Sequence, residues 1–177
     1  MNNYKIVSGA QIGADMGALK GALMFKGVHK MSGKVTGGYI TNDARNHEGT
    51  IPQSFIDTCG LHRLTSNDYR VRTRKNVKES DVTLRFALNF DTPGERCTQR
   101  ACFDYNRPYM DIPINFREFW APGFLGKFQT VITPTSVAQF IIDRYARVIN
   151  VAGNANKNIE NFVSEFIYQI LQELREA

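Results

Sequence analysis

The fold is decided by one stretch near the start of the chain, Lys5-Ile6-Val7-Ser8-Gly9-Ala10-Gln11-Ile12-Gly13-Ala14-Asp15. A short β-branched run ends at Ser8-Gly9 and a helical pattern begins near Asp15, which predicts a strand, a glycine loop and a helix start. Such a turn directs backbone N–H groups and the positive end of a helix dipole at one point, where an anion such as phosphate is stabilised. The Gly-x-x-x-Gly spacing is neither the dinucleotide fingerprint nor a Walker loop. On this stretch alone, a plain turn that needs Gly for positive φ is the better interpretation.

The composition is that of a soluble globular protein, with 177 residues, 42% of them hydrophobic and 22% charged. The length fits one domain with a full core. No apolar run approaches a membrane span and the N-terminus lacks a signal-peptide pattern, so we expect a cytoplasmic protein with no membrane partner. The formal charge of +5 mildly favours anionic partners. Long basic runs with interleaved aromatic residues are missing from the sequence, so a nucleic-acid partner has no clear support.

The chain has three cysteines and three histidines, and neither set has the spacing of a metal site. They are Cys59, Cys97, Cys102, His29, His47 and His62. We expect reduced thiols, no metal ligands and no identifiable cofactor. Cys97 precedes a predicted helix and could have a lowered pKa, although a buried inert thiol is the better interpretation.

The first third of the chain changes from periodic to irregular. Apolar spacing predicts a helix from Asp15 to Lys26, ended by Gly27. A short strand is predicted within Val28–Val35. The polar stretch from Thr36 to Phe55 has no period and is longer than a usual connection, so it is either a functional loop or a plain surface loop.

The residues Ser66–Asp68 offer caps for a helix that runs to about Glu79. Helical spacing places one set of residues on a single inward stripe, Tyr69, Arg72, Thr73, Asn76 and Val77, and a second set on a solvated face, Arg70, Arg74 and Lys78. An inward arginine needs a carboxylate, carbonyls or an anionic ligand, because an unpaired buried charge is costly. An internal ion pair, with Asp15 or Asp81 as the partner, and a ligand contact are equally consistent with Arg72.

Two further strand–loop–helix units follow. The strand Asp81–Leu88 leads into a glycine-containing loop, Asp91–Thr98, and a helix to Tyr105. The strand Arg147–Ala152 ends at Gly153-Asn154 and leads into a strongly amphipathic last helix. Its apolar stripe, which includes Phe162, Phe166 and Ile170, is predicted to cover one face of the sheet rather than to bind a cofactor.

Three more segments lie between these units. Tyr109–Ile114 is predicted as a strand and Ser136–Tyr145 as a helix. The irregular, aromatic-rich segment Asn115–Thr133 is a lid, an oligomer contact or a packed loop, and the sequence does not rank these possibilities.

Alternating strands and helices predict an α/β fold with a mostly parallel sheet of about five strands and helices on both faces. Ligands of such folds bind beyond the carboxyl ends of the strands. The loops at Gly9, Pro93-Gly94 and Gly153 all follow strands, so we expect them at one edge of the sheet. Three convergent loops at helix N-termini make an anion pocket much better supported than the first loop alone.

At this point the residues suggest a family. Ile6–Asp15 resembles the start of the putative molybdenum carrier family, a circularly permuted branch of the Rossmann-like SLOG superfamily, which also contains lysine-decarboxylase-like phosphoribohydrolases. Three further segments resemble that family in the same order, namely Glu48–Pro52, Tyr69–Leu84 and Asn150–Gly153. The resemblance covers most of the chain except Asn115–Thr133.

The resemblance implies a single SLOG-like domain over residues 1–177, with a Rossmann-like three-layer sandwich, a phosphate-binding pocket and a homo-oligomeric state. Members of the family are proposed to carry molybdenum cofactor, whose pterin bears a phosphate, and other relatives bind nucleotide-derived ligands. Matched positions and the three strand-end loops together give the predicted ligand site. Its residues are Ser8, Gly9, Gln11, Gly13, Asp15, Arg72, Asn76, Pro93, Gly94, Glu95, Arg96, Thr98, Gly153 and Asn154.

Several residues depart from the family pattern. Ala10, Ile12 and Met16 stand where the family usually has Gly, Thr and Arg, and Glu95 stands where a neutral Thr is common. A carboxylate beside a phosphate loop is repulsive unless Arg96 or Arg100 neutralises it or the ligand carries a donor for it. Both the family's usual ligand and a different one therefore stay open.

The choice between enzyme and binding protein rests on the loop after the second strand unit. Superfamily phosphoribohydrolases carry Pro-Gly-Gly-x-Gly-Thr-x-x-Glu. Here Glu95 and Cys97 replace glycines, and Ala101 stands at the acidic position. Glycosidic cleavage needs a placed carboxyl group, and although Glu95 or Asp15 could supply one, nothing in the sequence requires it. A binding protein is therefore the preferred interpretation.

Three functions remain. The first is a carrier or sequestering protein for a phosphorylated nucleotide-like small molecule, such as an ADP-ribose-type or cyclic nucleotide signal or, alternatively, molybdenum cofactor. The second is a nucleoside monophosphate phosphoribohydrolase. The third is an interaction module with a degenerate pocket.

Overall fold

A computed structural model of the chain, describing residues 4–117 and 127–177, shows strands and helices alternating. The strands are β1 (Lys5–Val7), β2 (Thr36–Ile40), β3 (Arg45–Asn46), β4 (Gly49–Thr50), β5 (Leu61–Arg63), β6 (Val82–Ala87), β7 (Tyr109–Pro113), β8 (Asn115–Arg117), β9 (Lys127–Gln129) and β10 (Val148–Gly153). The helices are α1 (Ala14–Val28), α2 (Gln53–Cys59), α3 (Tyr69–Lys78), α4 (Pro93–Asp104), α5 (Pro134–Ile142) and α6 (Glu160–Glu176), and a 3-10 turn at Lys157–Ile159 precedes α6.

The central sheet has the strand order β5-β2-β1-β10-β6-β7. All of its pairings are parallel; Ile6, for example, is in register with Thr36 on one side and Ile149 on the other. The predicted α/β, Rossmann-like three-layer fold with a mostly parallel sheet is thus confirmed, with six strands in the described sheet where the sequence suggested about five. The chain leaves β1 towards one edge of the sheet and leaves β6 towards the other, and β10 lies between them. Ligands of open α/β sheets bind at such a switch point.

The region from Val28 to Phe55 differs from the sequence prediction. The predicted strand at Val28–Val35 is wrong, because α1 continues through Gly27 to Val28 and the strand starts only at Thr36. Instead, β2 lies inside the stretch that looked irregular, which also contains the β3–β4 hairpin and the start of α2. Periodicity misses β2 because close packing requires glycine in this buried strand. A Cβ on Gly38, whose φ is +128°, would lie 2.1 Å from the carbonyl oxygen of Ser8.

The predicted glycine loop at Asp91–Thr98 is also wrong, since α4 already begins at Pro93. The Thr92 side chain caps the helix by accepting a hydrogen bond from the Glu95 N–H at 3.3 Å, and proline suits the first helical position because it has no N–H to leave unpaired. Gly94 has no positive φ, and a Cβ there would meet nothing within 4 Å. The residues that resemble a phosphate loop therefore form the first turn of a helix.

The two faces of the sheet are covered differently. On one face, α1, α5 and α6 surround a large apolar core in which Phe86 packs edge-to-face against Phe166, with ring centroids 5.5 Å apart. The predicted stripe of the last helix is confirmed for Phe166 and Ile170, which are buried, whereas Phe162 is half-buried. On the other face, α3 and α4 pack on each other over a small apolar cluster of Val77, Ala101 and Cys102.

Helices α1 and α6 approach each other closely. Cβ atoms on Gly17 and Gly21 would lie 2.4 and 2.2 Å from the carbonyl oxygens of Glu160 and Ser164. Small residues four apart allow two helix backbones to come this near, so these glycines are packing requirements. None of the helices in the described ranges is long and apolar enough to cross a membrane.

The predicted irregular segment Asn115–Thr133 contains two short antiparallel strands, β8 and β9. Phe116 and Phe128 face each other across this pair, with ring centroids 5.1 Å apart. Residues 118–126 of this segment lie outside the described residues, and the choice between a lid, an oligomer contact and a packed loop stays a prediction.

Candidate functional site

A cleft of about 640 Å³ lies beyond the carboxyl ends of β10 and β6, between the start of α1 and the first turns of α3 and α4. The turn after β1 supplies Gln11, the first turn of α1 supplies Asp15, α3 supplies Arg72, and the turn after β10 supplies Asn154. Nine of the residues predicted from the sequence line it: Gln11, Asp15, Arg72, Pro93, Gly94, Glu95, Thr98, Gly153 and Asn154. The three strand–helix junctions thus meet at one edge of the sheet.

Five other predicted site residues do not line the cleft. They are Ser8, Gly9, Gly13, Asn76 and Arg96. Ser8 is buried, and Gly9 lies behind the Arg72 side chain. A Cβ on Gly13 would lie 2.4 Å from the Asn154 carbonyl oxygen, so this glycine lets the turn after β10 approach α1.

Asn76 and Arg96 have structural partners instead. The Asn76 side chain accepts a hydrogen bond from the Tyr39 N–H at 2.8 Å and donates one to the Tyr39 carbonyl at 3.0 Å. It thereby completes the hydrogen bonding of β2 as a neighbouring strand would. Arg96 is exposed and donates hydrogen bonds to Asp91.

Arg72 is the most deeply placed cation of the cleft lining. Its side chain is 12% exposed, and its Nη1 donates a hydrogen bond to the Gly9 carbonyl oxygen at 3.0 Å. The Asp15 carboxylate lies 3.9 Å from the same nitrogen, which is too far for a hydrogen bond. The Nε–H is buried and has no partner among the described residues. Of the two ion-pair partners suggested by the sequence, only Asp15 is near, since Asp81 instead accepts hydrogen bonds from the backbone N–H groups of Arg147 and Val148.

Gly9 is required by this arrangement for a reason other than backbone conformation. A Cβ at Gly9 would lie 2.5 Å from the Arg72 Cζ, so only glycine leaves room for the guanidinium. Positive φ occurs in this turn at Gly13, +80°, and at the buried Ala10, +56°, where the resembled family usually has Gly. The predicted need of the turn for a glycine at positive φ is therefore confirmed at Gly13, whereas Gly9 is required by the Arg72 side chain.

Asp15 and Glu95 place two carboxyl groups in the lining of the cleft. Asp15 belongs to the first turn of α1 and accepts a hydrogen bond from the Gln11 N–H at 3.3 Å. Burial raises the pKa of Asp15 above its ordinary value, and the nearby Arg72 opposes this shift without cancelling it. Glu95 belongs to the first turn of α4, where burial raises its pKa to about 7. The charge of Asp15 contributes to this rise, because two nearby carboxylates repel each other.

Asn154 holds one oxygen of Glu95 as an acceptor. The Asn154 Oδ1 accepts hydrogen bonds from the N–H groups of Leu88 at 2.8 Å and Asn89 at 3.1 Å, which fixes the direction of its amide. Its Nδ2 therefore donates, and it does so to the Glu95 Oε1 at 3.2 Å. The other carboxyl oxygen, Oε2, is buried with no partner in the described ranges.

The cation close to Glu95 is not one of the two arginines expected from the sequence. Arg96 pairs with Asp91 and Arg100 with Asp104, so neither neutralises Glu95. The cation near it is Arg85, which is 1% exposed and donates a hydrogen bond to the Glu95 carbonyl oxygen at 2.9 Å. An arginine within the otherwise apolar strand β6 was a usable signal that the sequence reasoning missed.

Arg85 is itself held by the edge strand. It makes two parallel hydrogen bonds to Asp111, at 2.6 and 2.7 Å, and lies over the rings of Phe90 and Tyr109. Bidentate arginine–carboxylate pairs are among the stronger charged contacts in proteins. No sequence signal links these two residues, because they are in register only through the pairing of β6 with β7.

The cleft lining also contains residues that sequence reasoning did not assign to a site. They are His47, Tyr69, Arg70, Thr73, Thr92, Cys97, Ala152, Ala155 and Asn156. Arg70 was predicted on a solvated face; it is exposed and paired with Asp68, yet it also borders the cleft. Burial raises the pKa of the half-buried Cys97 thiol, which favours the inert thiol over the activated one. The described residues contain no group of three or more histidine, cysteine, aspartate or glutamate side chains that could hold a metal ion.

The parallel sheet and its switch point define a Rossmann-like domain, and the cleft lies where such folds bind ligands. Residues 6–174 match the circularly permutated YpsA SLOG family, and the chain belongs to that family. The chain is also similar in structure to a putative molybdenum carrier protein from Syntrophus aciditrophicus, with a TM-score of 0.68 and 23% sequence identity over 98% of this chain and 95% of that one. No curated protein matches the chain. The resemblance seen in the sequence is therefore confirmed at the level of family and fold.

Proposed function

We propose that this protein is a carrier or sequestering protein for a phosphorylated nucleotide-like small molecule, such as an ADP-ribose-type or cyclic nucleotide signal. The observation that carries the proposal is the Arg72 guanidinium, which lines the cleft, is largely buried and has an unpartnered Nε–H among the described residues. A buried charge of this kind is costly unless an anion or several acceptors satisfy it.

The groups around Arg72 satisfy it only in part. A guanidinium has five N–H donors, and within the described residues the hydrogen bond of Arg72 goes to the Gly9 carbonyl. Asp15 at 3.9 Å supplies charge but no hydrogen bond. A phosphate group supplies both, since its oxygens accept two parallel hydrogen bonds from one guanidinium.

The dimensions and the rim of the cleft support a ligand larger than phosphate. A volume of about 640 Å³ falls within the usual range of small-molecule sites. Tyr69 at the mouth is 41% exposed, so part of its ring is open to stack on a flat group such as a base. Arg72 lies over the same ring, with its Cζ 5.3 Å from the ring centroid.

Mass spectrometry of the small molecules released when the purified protein is denatured tests this proposal. We expect a phosphorylated nucleotide-like compound, and we expect that compound to bind again in a calorimetric titration. An empty cleft, together with no thermal shift from any phosphate compound, would instead support the interaction module.

The structural neighbour's name favours molybdenum cofactor as a second candidate ligand. Its phosphate would contact the same guanidinium, so the cleft alone does not separate the two ligands. Elemental analysis does, because a protein that carries molybdenum cofactor co-purifies with molybdenum. Stoichiometric molybdenum in the protein would replace the nucleotide proposal with this one.

The two carboxyl groups of the cleft favour one enzymatic alternative. A protonated Glu95 beside Asp15 has the chemistry to donate a proton to a leaving group, as a phosphoribohydrolase requires. Incubation with nucleoside monophosphates distinguishes hydrolysis from binding, since only hydrolysis releases free base. Release that is lost in Glu95→Gln would establish the enzyme.

A further inference from the structure

We propose that the Glu95 end of the cleft binds the vicinal hydroxyls of a ribose rather than a phosphate. This inference rests on the proposed function and specifies which part of a phosphorylated nucleotide contacts which part of the cleft. It starts from the two helix N-termini at the cleft, which are the positions where the sequence led us to expect the phosphate.

Both helix N-termini already carry a carboxyl group of this chain. Asp15 lies in the first turn of α1 and Glu95 in the first turn of α4, and both are at least nine-tenths buried. The positive end of each dipole is thus offset by a side chain that stays in place. A phosphate near Glu95 would face its carboxyl and that of Asp15, which is unfavourable at low dielectric.

The hydrogen bonds of Glu95 determine what its free oxygen can do. Oε1 accepts from Asn154, whose direction is fixed by two backbone N–H groups. Oε2 has no hydrogen-bond partner among the described residues, although the residue is only 2% exposed. In its ionised form Oε2 is only an acceptor, so the matching ligand group is a donor.

The surrounding charges favour a neutral donor over a cation. Arg85 is neutralised by Asp111, and Arg72 lies beside Asp15. The two carboxylates nearest to Glu95, Asp15 and Asp111, thus each lie beside an arginine, so little excess negative charge is left to attract an amine. Hydroxyl groups hydrogen-bond a carboxylate at short distance without adding charge, and acidic side chains bind ribose hydroxyls in the same way in other Rossmann-like folds.

The phosphate of the same ligand is then left to Arg72. Its free Nε–H and the Glu95 Oε2 are the two buried side-chain atoms that have no partner in the described cleft lining, one a donor and the other an acceptor. A ribose phosphate has both complements in one molecule, since its phosphate accepts and its hydroxyls donate. Inorganic phosphate has only the first.

Calorimetric titrations with AMP, 2′-deoxy-AMP and 2′,3′-dideoxy-AMP test the inference on the unmodified protein. We expect AMP to bind at least about tenfold more tightly than the dideoxy compound, the ratio that loss of a charge-assisted hydrogen bond gives. In Glu95→Gln, which keeps the shape and the acceptor for Asn154, the preference should fall to within about threefold. Glu48→Gln is the matched control, because Glu48 is exposed, pairs with Lys157 and lies outside the cleft lining.

Arg72→Ala separates this inference from the proposed function. It should weaken AMP and dideoxy-AMP equally and so leave their ratio unchanged. Equal binding of the two nucleotides to the unmodified protein overturns the inference alone, as does a ratio that Glu95→Gln leaves intact. Failure of the unmodified protein to bind any of the three also overturns the inference, whereas the proposed function fails only if the protein releases no phosphorylated compound on denaturation and no phosphate compound shifts its melting temperature.

Discussion

Alternate residues of strand β6 point to the two faces of the central sheet, and these two faces differ in polarity. Val82, Leu84 and Phe86 of β6 turn into the large apolar core under α6. Thr83 and Arg85 turn to the other face, where Arg85 bonds Asp111 and the backbone of α4. The first face is the one that stabilises the protein by apolar burial, and the second positions polar groups below the cleft.

The comparison shows where stability and function separate in this protein. Apolar packing on the α6 side needs only volume and shape. The α4 side holds buried arginine, glutamate and asparagine side chains, and each of these costs free energy unless its hydrogen bonds are made. Unsatisfied atoms such as the Arg72 Nε and the Glu95 Oε2 are found in the cleft lining on that side. Substitutions on the two faces should therefore affect different measurements.

Phe166→Ala tests the apolar face and has the largest expected effect. Phe166 is 5% exposed and packs against Phe86 and Phe162. Its loss should lower the free energy of unfolding by roughly 3–5 kcal/mol, the range for a buried aromatic side chain. Chemical denaturation measures this loss, and ligand affinity should not change. A loss near zero would show that α6 does not carry the stability assigned to it.

Arg72→Ala tests the cleft and should show the opposite pattern. Nucleotide affinity should fall by roughly 2–5 kcal/mol, the range for truncating one partner of a buried charged contact. Arg72→Lys should not restore it fully, because lysine lacks the planar pair of donors. The melting temperature of the ligand-free protein should stay nearly constant, since the 3.9 Å contact with Asp15 is a weak ion pair.

Arg74→Ala is the control for this measurement. Arg74 lies on the same helix, pairs with Asp104 and does not line the cleft. Calorimetry of both variants with the co-purified ligand gives the comparison. Wild-type affinity in Arg72→Ala, or a large drop in its melting temperature, would make Arg72 a structural ion-pair residue.

Glu95→Gln tests whether the buried carboxyl on the polar face lowers the free energy of unfolding. Burial raises the pKa of folded Glu95 from an ordinary value of 4.5 to about 7. Between these values the folded state keeps a proton that the unfolded state releases, so the free energy of unfolding falls as pH rises through this window. Above pH 7 the Gln variant should be more stable than wild type by about 1–3 kcal/mol.

Denaturation at pH 4.5, 6 and 8 measures this difference between Glu95→Gln and wild type. The difference should be small at pH 4.5, where Glu95 is protonated in the folded state, and should grow with pH. A difference that does not change with pH would mean that Glu95 is solvated and titrates normally. If the stability difference grows with pH and the variant also loses the preference for AMP over dideoxy-AMP, then the Glu95 carboxyl both recognises the ribose and lowers the stability of the protein.

Much of the fold could be predicted from the sequence, because apolar periodicity records burial. The strands β6, β7 and β10 and the last helix were found in this way. Strand β2 was missed because the Ser8 backbone approaches it so closely that Gly38 has no room for a side chain, and its glycines give no apolar alternation. The helical start at Pro93 was missed because a Pro-Gly pair also fits a loop, and the Thr92 cap was not recognised.

The candidate site was predictable where its residues belong to the strand-end motifs or to a helical stripe. Asp15, Glu95 and Asn154 were named from such motifs and Arg72 from helical spacing and the family resemblance, and the structure brings all four to one cleft. Arg85 and Asp111 were not, since a buried ion pair between neighbouring strands depends on their register. Asn76 was misjudged because helical spacing gives its direction but not its partner, which is the backbone of β2.

Two Gly→Ala substitutions have the smallest expected effects, and they separate stability from ligand affinity in the same way. Gly27 is helical, exposed and open to a Cβ, so Gly27→Ala should raise the free energy of unfolding by about 0.5–1 kcal/mol and leave affinity unchanged. Gly9 also lacks a positive φ, but its new methyl group would displace the Arg72 guanidinium. Gly9→Ala should therefore change the free energy of unfolding by less than about 1 kcal/mol, because a flexible side chain can move, while affinity falls. Denaturation and titration of both variants measure the two quantities. Unchanged affinity in Gly9→Ala would mean that Arg72 binds ligand from a different position, and the glycine would then be a packing requirement of the turn alone.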